Sequence, residues 1–260
     1  MPSRDHPYLR GRFVATAHRG GWVDPTDADR ENTIYAFTRA WELGYRVFET
    51  DVHLTADGQL VAFHDTDLSR ITGVAGQIGD HSWDELSSVP VAGRDRIPLM
   101  SELLAAFPDA VFNIDIKADP ATEPLAAMLA GSDDAGRVCV GSFSSSRLAR
   151  FRELAPDIVT STSKVEVARY VFGIGLRRSR FGAGEVLQVP TRAFGGTVRV
   201  VRPDVVAAAH AHQRPVQVWT IDDPVEMERL IDMGVDGLIT NDLVALKQVL
   251  RARGLWQEES

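Results

Sequence analysis

From residue 98 onward the chain alternates between short apolar runs and longer amphipathic ones. Val111 to Lys117, Val138 to Phe143, Ile158 to Thr160, Val186 to Val189, Val216 to Ile221 and Gly237 to Thr240 read as strands. Thr122 to Ala130, Ser145 to Leu154, Lys164 to Leu176, Arg202 to His212, Val225 to Met233 and Leu243 to Arg251 read as the helices that follow them. Two further strands, Phe13 to Ala17 and Val47 to Leu54, lie upstream with a helix between them, its apolar face made by Ile34, Phe37, Ala40 and Trp41. Regular alternation of strand and helix argues for a parallel sheet. Eight such units in 260 residues argue for closure as a (β/α)8 TIM barrel. A doubly wound open sheet is the alternative, but no Gly-x-Gly-x-x-Gly follows the first strand. The chain is therefore read as one barrel domain, residues 1–260, with Met1 to Arg12 as a loose lead-in.

The second strand carries the densest polar pattern. A strand has period two, so Val47, Glu49, Asp51 and His53 share one side and Phe48, Thr50, Val52 and Leu54 the other. Two carboxylates one step apart on a buried-looking face repel each other, and a cation between them relieves the repulsion. Hard oxygen ligands of this kind suit Mg²⁺ or Ca²⁺. Ala56-Asp57-Gly58 then supplies a hairpin turn, since Asp-Gly readily takes positive φ. Equal counting back from Asp57 sets His64 opposite the Thr50–Asp51 level. Beyond the hairpin, from about residue 66 to 96, glycines at 73, 76, 79 and 93 interrupt the pattern. This region reads as an insertion packed over the site.

Composition excludes several classes. The chain has 44% hydrophobic and 25% charged residues, ordinary globular values, so a large core is available. A formal net charge of −8 makes it a poor general binder of nucleic acid or anionic membrane, although a local basic pocket can still take an anionic substrate. One cysteine, Cys139, rules out an intrachain disulfide and a cysteine metal cluster. No apolar run reaches the ~18 residues of a membrane span, and the first residues lack the apolar run of a signal peptide. The expectation is a soluble cytoplasmic protein with no stable membrane insertion. The segment Val165 to Glu185, with Arg177, Arg178 and Arg180, reads as a helix on the barrel with a solvated basic end. The oligomeric state is not legible.

In barrels the active site lies at the carboxyl ends of the strands. There the first strand offers His18 and Arg19, the second Glu49 and Asp51, and the returning arm His64. The third offers Asp115 and Lys117, the sixth Gln188 and the seventh Trp219. Phosphodiester cleavage asks for this set. Cations neutralise phosphate oxygens as charge builds in the transition state. One imidazole takes a proton and the other gives one, because imidazole titrates near neutrality. The other histidines, His6, His81, His210 and His212, read as structural, and His53 as a supporting group beyond Asp51.

At this point the residues resemble a family. His18-Arg19-Gly20, Glu31-Asn32-Thr33, Glu49-Thr50-Asp51, His64-Asp65 and Asp115-Ile116-Lys117 are similar, in order and spacing, to the signature of the glycerophosphodiester phosphodiesterases. So are Val218-Trp219-Thr220-Ile221 and Gly234 to Thr240. The resemblance covers about Val14 to Leu250. It implies a (β/α)8 barrel with a small insertion that hydrolyses small-molecule glycerophosphodiesters to sn-glycerol 3-phosphate and an alcohol, using one divalent cation. By position it makes His18 and His64 the acid–base pair, Glu49, Asp51 and Asp115 the metal ligands, and Arg19 and Lys117 phosphate contacts. Trp219 would line the substrate pocket, and Glu31 would steer the site through His18 or the metal shell. The family more often has Glu at the Asp115 position and Pro at the Arg30 position. Two competing readings are a phospholipase D-like enzyme of the same barrel, resembling the sphingomyelinase D group, and a non-catalytic barrel that binds a phosphorylated ligand.

Overall fold

The computed structural model describes residues 6–9, 13–173, 184–193 and 195–256. Eight parallel strands form the sheet: β1 (Val14–Trp22), β2 (Val47–Leu54), β3 (Val111–Ile116), β4 (Val138–Gly141), β5 (Val159–Thr160), β6 (Leu187–Pro190), β7 (Val216–Trp219) and β8 (Gly237–Asp242). They pair in the order β5-β4-β3-β2-β1-β8-β7-β6. A parallel bridge between Ser161 and Val186 joins the two ends, where Thr162 N donates to Val186 O at 2.8 Å and Glu185 N to Thr160 O at 2.8 Å. The sheet is thereby a closed ring, as the alternation predicts.

Helices pack outside it, and side chains start them where the sequence allows. Thr33 accepts from Ala36 N and caps the head of α1 (Ile34–Glu42). Ser163 and Glu166 form a capping box on the helix Lys164–Phe172. Gly173, at φ 66°, caps the end of that helix. Leu176, Arg177, Arg178 and Arg180, and with them the basic end of that segment, lie outside the described residues. Between barrel and helices the core is aromatic on one side. Phe48 of β2 has its ring centroid 5.3 Å from Phe37, 5.3 Å from Phe107 and 5.6 Å from Phe112, and is fully buried. This packing fixes the outer face of β2, so the alternate residues Glu49 and Asp51 turn inward.

The lead-in is not loose throughout. A turn at Pro7–Leu9 seats Tyr8 among Val14, Val111, Cys139, Val159 and Val186, at the amino ends of the strands. His6 holds it there through Val138 O at 3.1 Å. Sequence periodicity misses this because one buried tyrosine has no pattern. The returning arm of the hairpin (Leu60–Ala62) pairs antiparallel with β2, Val52 opposite Ala62. Phe63 N still donates to Asp51 O at 3.1 Å, which brings His64 level with Thr50, as counted. The insertion has a small core of its own, with Leu68, Ile71, Ile78, Leu86 and Val91 packed on Val61 and Phe63. A second short hairpin, Arg192–Ala193 with Val198–Arg199, was not expected. No helix among the described residues is long and apolar enough to cross a membrane.

Candidate active site

A cavity of about 530 Å³ opens at the carboxyl ends of the strands. His18, Arg19, Glu49, His64, Asp115, Lys117, Gln188 and Trp219 all line it. Asp51 lies just beneath, fully buried, and Glu31 stands behind Arg19. The structure thus gathers every residue that the sequence nominated.

The turn after β1 aims the first pair. Gly20, at φ 86°, leaves no room for a side chain, because a Cβ would lie 2.6 Å from that of Ala36. At Gly21, φ 59°, a Cβ would lie 2.7 Å from Asn241 O. Arg19 itself has φ 54°, a left-handed conformation that costs a non-glycine residue of the order of 1 kcal/mol. In that conformation its N–H donates to Glu49 Oε2 at 3.2 Å and its Nε lies 3.2 Å from Asp51 Oδ2.

Register places the carboxylates. Asp51 pairs with Asp115 across β2 and β3, and His18 with Glu49 across β1 and β2. Lys117 Nζ stands between the two aspartates, 2.8 Å from Asp51 Oδ1 and 2.6 Å from Asp115 Oδ2. Burial opposes ionisation of Asp51, but Lys117 and Arg19 outweigh it and hold this carboxyl below its ordinary range. Glu49 goes the other way: burial, and then the charge of Asp51, push it well up. Burial also raises Asp115, against the pull of Lys117. Asn32, at φ 59°, donates from Nδ2 to Asp51 Oδ2 at 2.9 Å and accepts from Thr50. The sequence quoted Asn32 within a motif without giving it this task.

The two imidazoles have different neighbours. His18 Nδ1 lies 2.6 Å from Asn241 Oδ1, and its Nε2 is 3.7 Å from Glu49 Oε2. Burial, and then the charge of Arg19, lower His18 from 6.5 to about 4, so the ring is neutral at pH 7. His64 Nδ1 lies 2.6 Å from Asp65 Oδ1. Asp65 is in turn bonded by Arg70, which also binds Glu31, and Glu31 accepts from Arg19 at 3.2 Å. The side chain of Glu31 thus bonds to Arg19 and Arg70. Arg70 comes from the insertion and was not foreseen; it stands 39 residues from Glu31 in sequence. His53 Nε2 donates to His64 O at 3.1 Å and so ties β2 to the returning arm.

The far wall is apolar. Phe143, half exposed, meets the Trp219 ring edge-on at 5.4 Å, and Val171 and Phe172 continue the wall. Gln188 lines the cavity while its Nε2 donates to Gln217 Oε1 at 3.0 Å. Arg30, the departure from the resembled pattern, stacks on Tyr35 at 3.1 Å and binds Asp95 through Nη2 at 2.9 Å, tying the loop after β1 to the end of the insertion.

Among the described residues no group of three or more His, Cys, Asp or Glu stands at metal-ligand spacing. The donor chemistry nevertheless fits a hard divalent cation. Glu49, Asp51 and Asp115 are buried carboxylates on the adjacent strands β2 and β3, Asp115 Oδ1 is buried without a hydrogen-bond partner, and Glu49 is crowded by negative charge.

A closed barrel with paired imidazoles, carboxylates and cations on its catalytic rim defines a TIM-barrel enzyme. More closely, the chain belongs to the glycerophosphoryl diester phosphodiesterase family, whose model matches residues 18–245. A relative from Mycobacterium tuberculosis, described as a probable glycerophosphodiester phosphodiesterase 2, is 36% identical over 96% of this chain and 95% of its own. Two solved structures share the fold. A putative glycerophosphoryl diester phosphodiesterase from Silicibacter pomeroyi superposes with a TM-score of 0.74 at 22% identity, covering 97% of each chain. An Oleispira antarctica phosphodiesterase, solved with its product sn-glycerol-3-phosphate, gives 0.73 at 20% identity, covering 92% of this chain and 96% of that one.

Proposed function

We propose that this chain hydrolyses glycerophosphodiesters to sn-glycerol 3-phosphate and an alcohol, with one divalent cation and with His18 and His64 as its acid–base pair. The observation that carries the reading is the pair of imidazoles on one cavity, each anchored through Nδ1, beside Arg19, Lys117 and three carboxylates. Family membership and the description of the mycobacterial relative favour this over the lipid-specific and non-catalytic alternatives.

In this reading Arg19 and Lys117 donate to the phosphate oxygens, and the apolar wall excludes water from that side. His18, neutral and with Nδ1 engaged, takes a proton at Nε2 from the attacking oxygen, either water or the neighbouring glycerol hydroxyl, and in the second case water then opens the resulting cyclic phosphate to glycerol 3-phosphate. His64 gives the proton from Nε2 to the leaving alcohol oxygen as the P–O bond breaks; its partner Asp65 accommodates a positively charged ring. Mg²⁺ or Ca²⁺ held by Glu49, Asp51 and Asp115 would supply Lewis-acid neutralisation of the phosphate charge.

His18→Ala and His64→Ala each lower kcat by about 100-fold or more, with unchanged circular dichroism. A near-wild-type rate in either variant removes that histidine from the pair. Glu49→Gln weakens cation binding by calorimetry, and unchanged affinity removes Glu49 from the ligand set.

A further inference from the structure

Resting on the reading of His18 as an acid–base group, we propose that Asp222 and Asn241 form a positioning relay that fixes the tautomer of His18. Asp222 stands in the loop after β7, and Asn241 near the end of β8. The carboxylate of Asp222 is surrounded by donors. Its Oδ1 accepts from Asn241 N at 2.7 Å, Thr240 Oγ1 at 2.9 Å and Asp242 N at 3.2 Å, and its Oδ2 accepts from Asn241 Nδ2 at 2.8 Å.

An ionised carboxylate only accepts, so the side-chain amide of Asn241 must turn its nitrogen toward Asp222. Its oxygen is then the atom that faces His18, at 2.6 Å. A carbonyl oxygen also only accepts, so His18 must carry its proton on Nδ1. Nε2 is left with its lone pair, on the side of Glu49 and the cavity. Three groups separated by as much as 223 residues thus decide which nitrogen of one ring receives a proton. The partner of His18 is neutral, whereas His64 has a carboxylate in the same place. The relay orients the ring without adding a negative charge to a site already crowded with carboxylates.

Selective ¹⁵N labelling of histidine reads the tautomer directly, without turnover. In the wild-type enzyme His18 is expected as the Nδ1–H form. Asn241→Leu removes the acceptor, and the Nε2–H form appears. Asp222→Asn keeps the shape of the loop but offers an amide nitrogen to Asn241, whose side chain turns over and presents NH₂ to His18. The same tautomer change follows, and this variant serves where Asn241→Leu does not fold. In either folded variant kcat falls at least about tenfold with KM unchanged. Added to His18→Ala, Asn241→Leu lowers the rate by less than about twofold, because nothing is left for it to position.

An unchanged Nδ1–H signal in both folded variants overturns the proposal. So does an equal loss of rate with and without the His18 side chain. A His18→Ala enzyme that keeps its rate overturns instead the reading of His18 as catalytic, and the relay then stands or falls on the spectrum alone.

Discussion

Lys117 is the cation on which the buried charge of this site depends. Its Nζ lies 2.6 Å from Asp115 and 2.8 Å from Asp51, and its side chain is 16% exposed. Lys117→Met keeps the stem and deletes the charge. Breaking a buried ion pair by removing one partner costs about 3–5 kcal/mol, because the other charge stays buried. Here two carboxylates lose a shared partner, but Asp51 keeps Arg19 at 3.2 Å, and Asp115, already pushed up by burial, can take a proton. The expected loss at pH 7 is therefore at the low end, about 3 kcal/mol. The sign with pH follows. In the variant the folded-state pKa values of Asp115 and Glu49 climb further above their unfolded values. The native state then binds more protons than the unfolded one between the unfolded carboxylate pKa and the raised folded one. Stability relative to wild type therefore recovers as pH falls, by about 1–2 kcal/mol between pH 7 and 5. Urea unfolding of both proteins in EDTA at the two pH values measures this. A deficit below about 1 kcal/mol at pH 7, or one that widens toward pH 5, refutes the electrostatic account.

Other perturbations test separate parts of the architecture. Arg70→Met removes the insertion's hold on Asp65 and Glu31. Arg70 is about half exposed, so the stability from urea unfolding falls by no more than about 1–2 kcal/mol, while kcat falls about tenfold. A large stability loss with kcat intact would make Arg70 structural only. Phe48→Ala empties the centre of the aromatic cluster and costs about 3–5 kcal/mol, lowering Tm by roughly 10 °C in a scanning melt; a shift within 2–3 °C, the worth of about 1 kcal/mol, contradicts that placement. Cys139, fully buried and with its thiol pushed up by burial, stays unreactive to a thiol reagent until urea unfolds the chain. Rapid labelling of the native protein contradicts its place among the residues around Tyr8.

What the sequence revealed was local and periodic. Alternation in β2, and equal counting around Asp57, were enough to bring His64 beside Thr50 and Asp51, because side-chain direction and hairpin register follow from the pleat. The rim residues were legible because strand ends converge wherever a barrel closes. The relays were not. Arg70 reaches Glu31 from 39 residues away, and Asn241 reaches His18 from 223. No spacing rule links such pairs, which meet only after folding. Asn241 follows directly on the Gly234 to Thr240 run, and its place at the end of the last strand was the available signal. Asp65 was visible beside His64 but was given no role. Tyr8 and the Arg192–Arg199 hairpin were missed for a different reason: each is too short to impose a period. Phe143 was read as the end of a strand; its half-exposed ring forms a cavity wall only once Trp219 meets it.

The most direct test of the central claim is release of glycerol 3-phosphate from glycerophosphocholine and glycerophosphoethanolamine, first in EDTA and then with Mg²⁺ or Ca²⁺ restored. Release that stops in EDTA and returns with one cation is the predicted result. No release with any cation from folded protein contradicts the proposed reaction, and undiminished release in EDTA contradicts the role given to Glu49, Asp51 and Asp115.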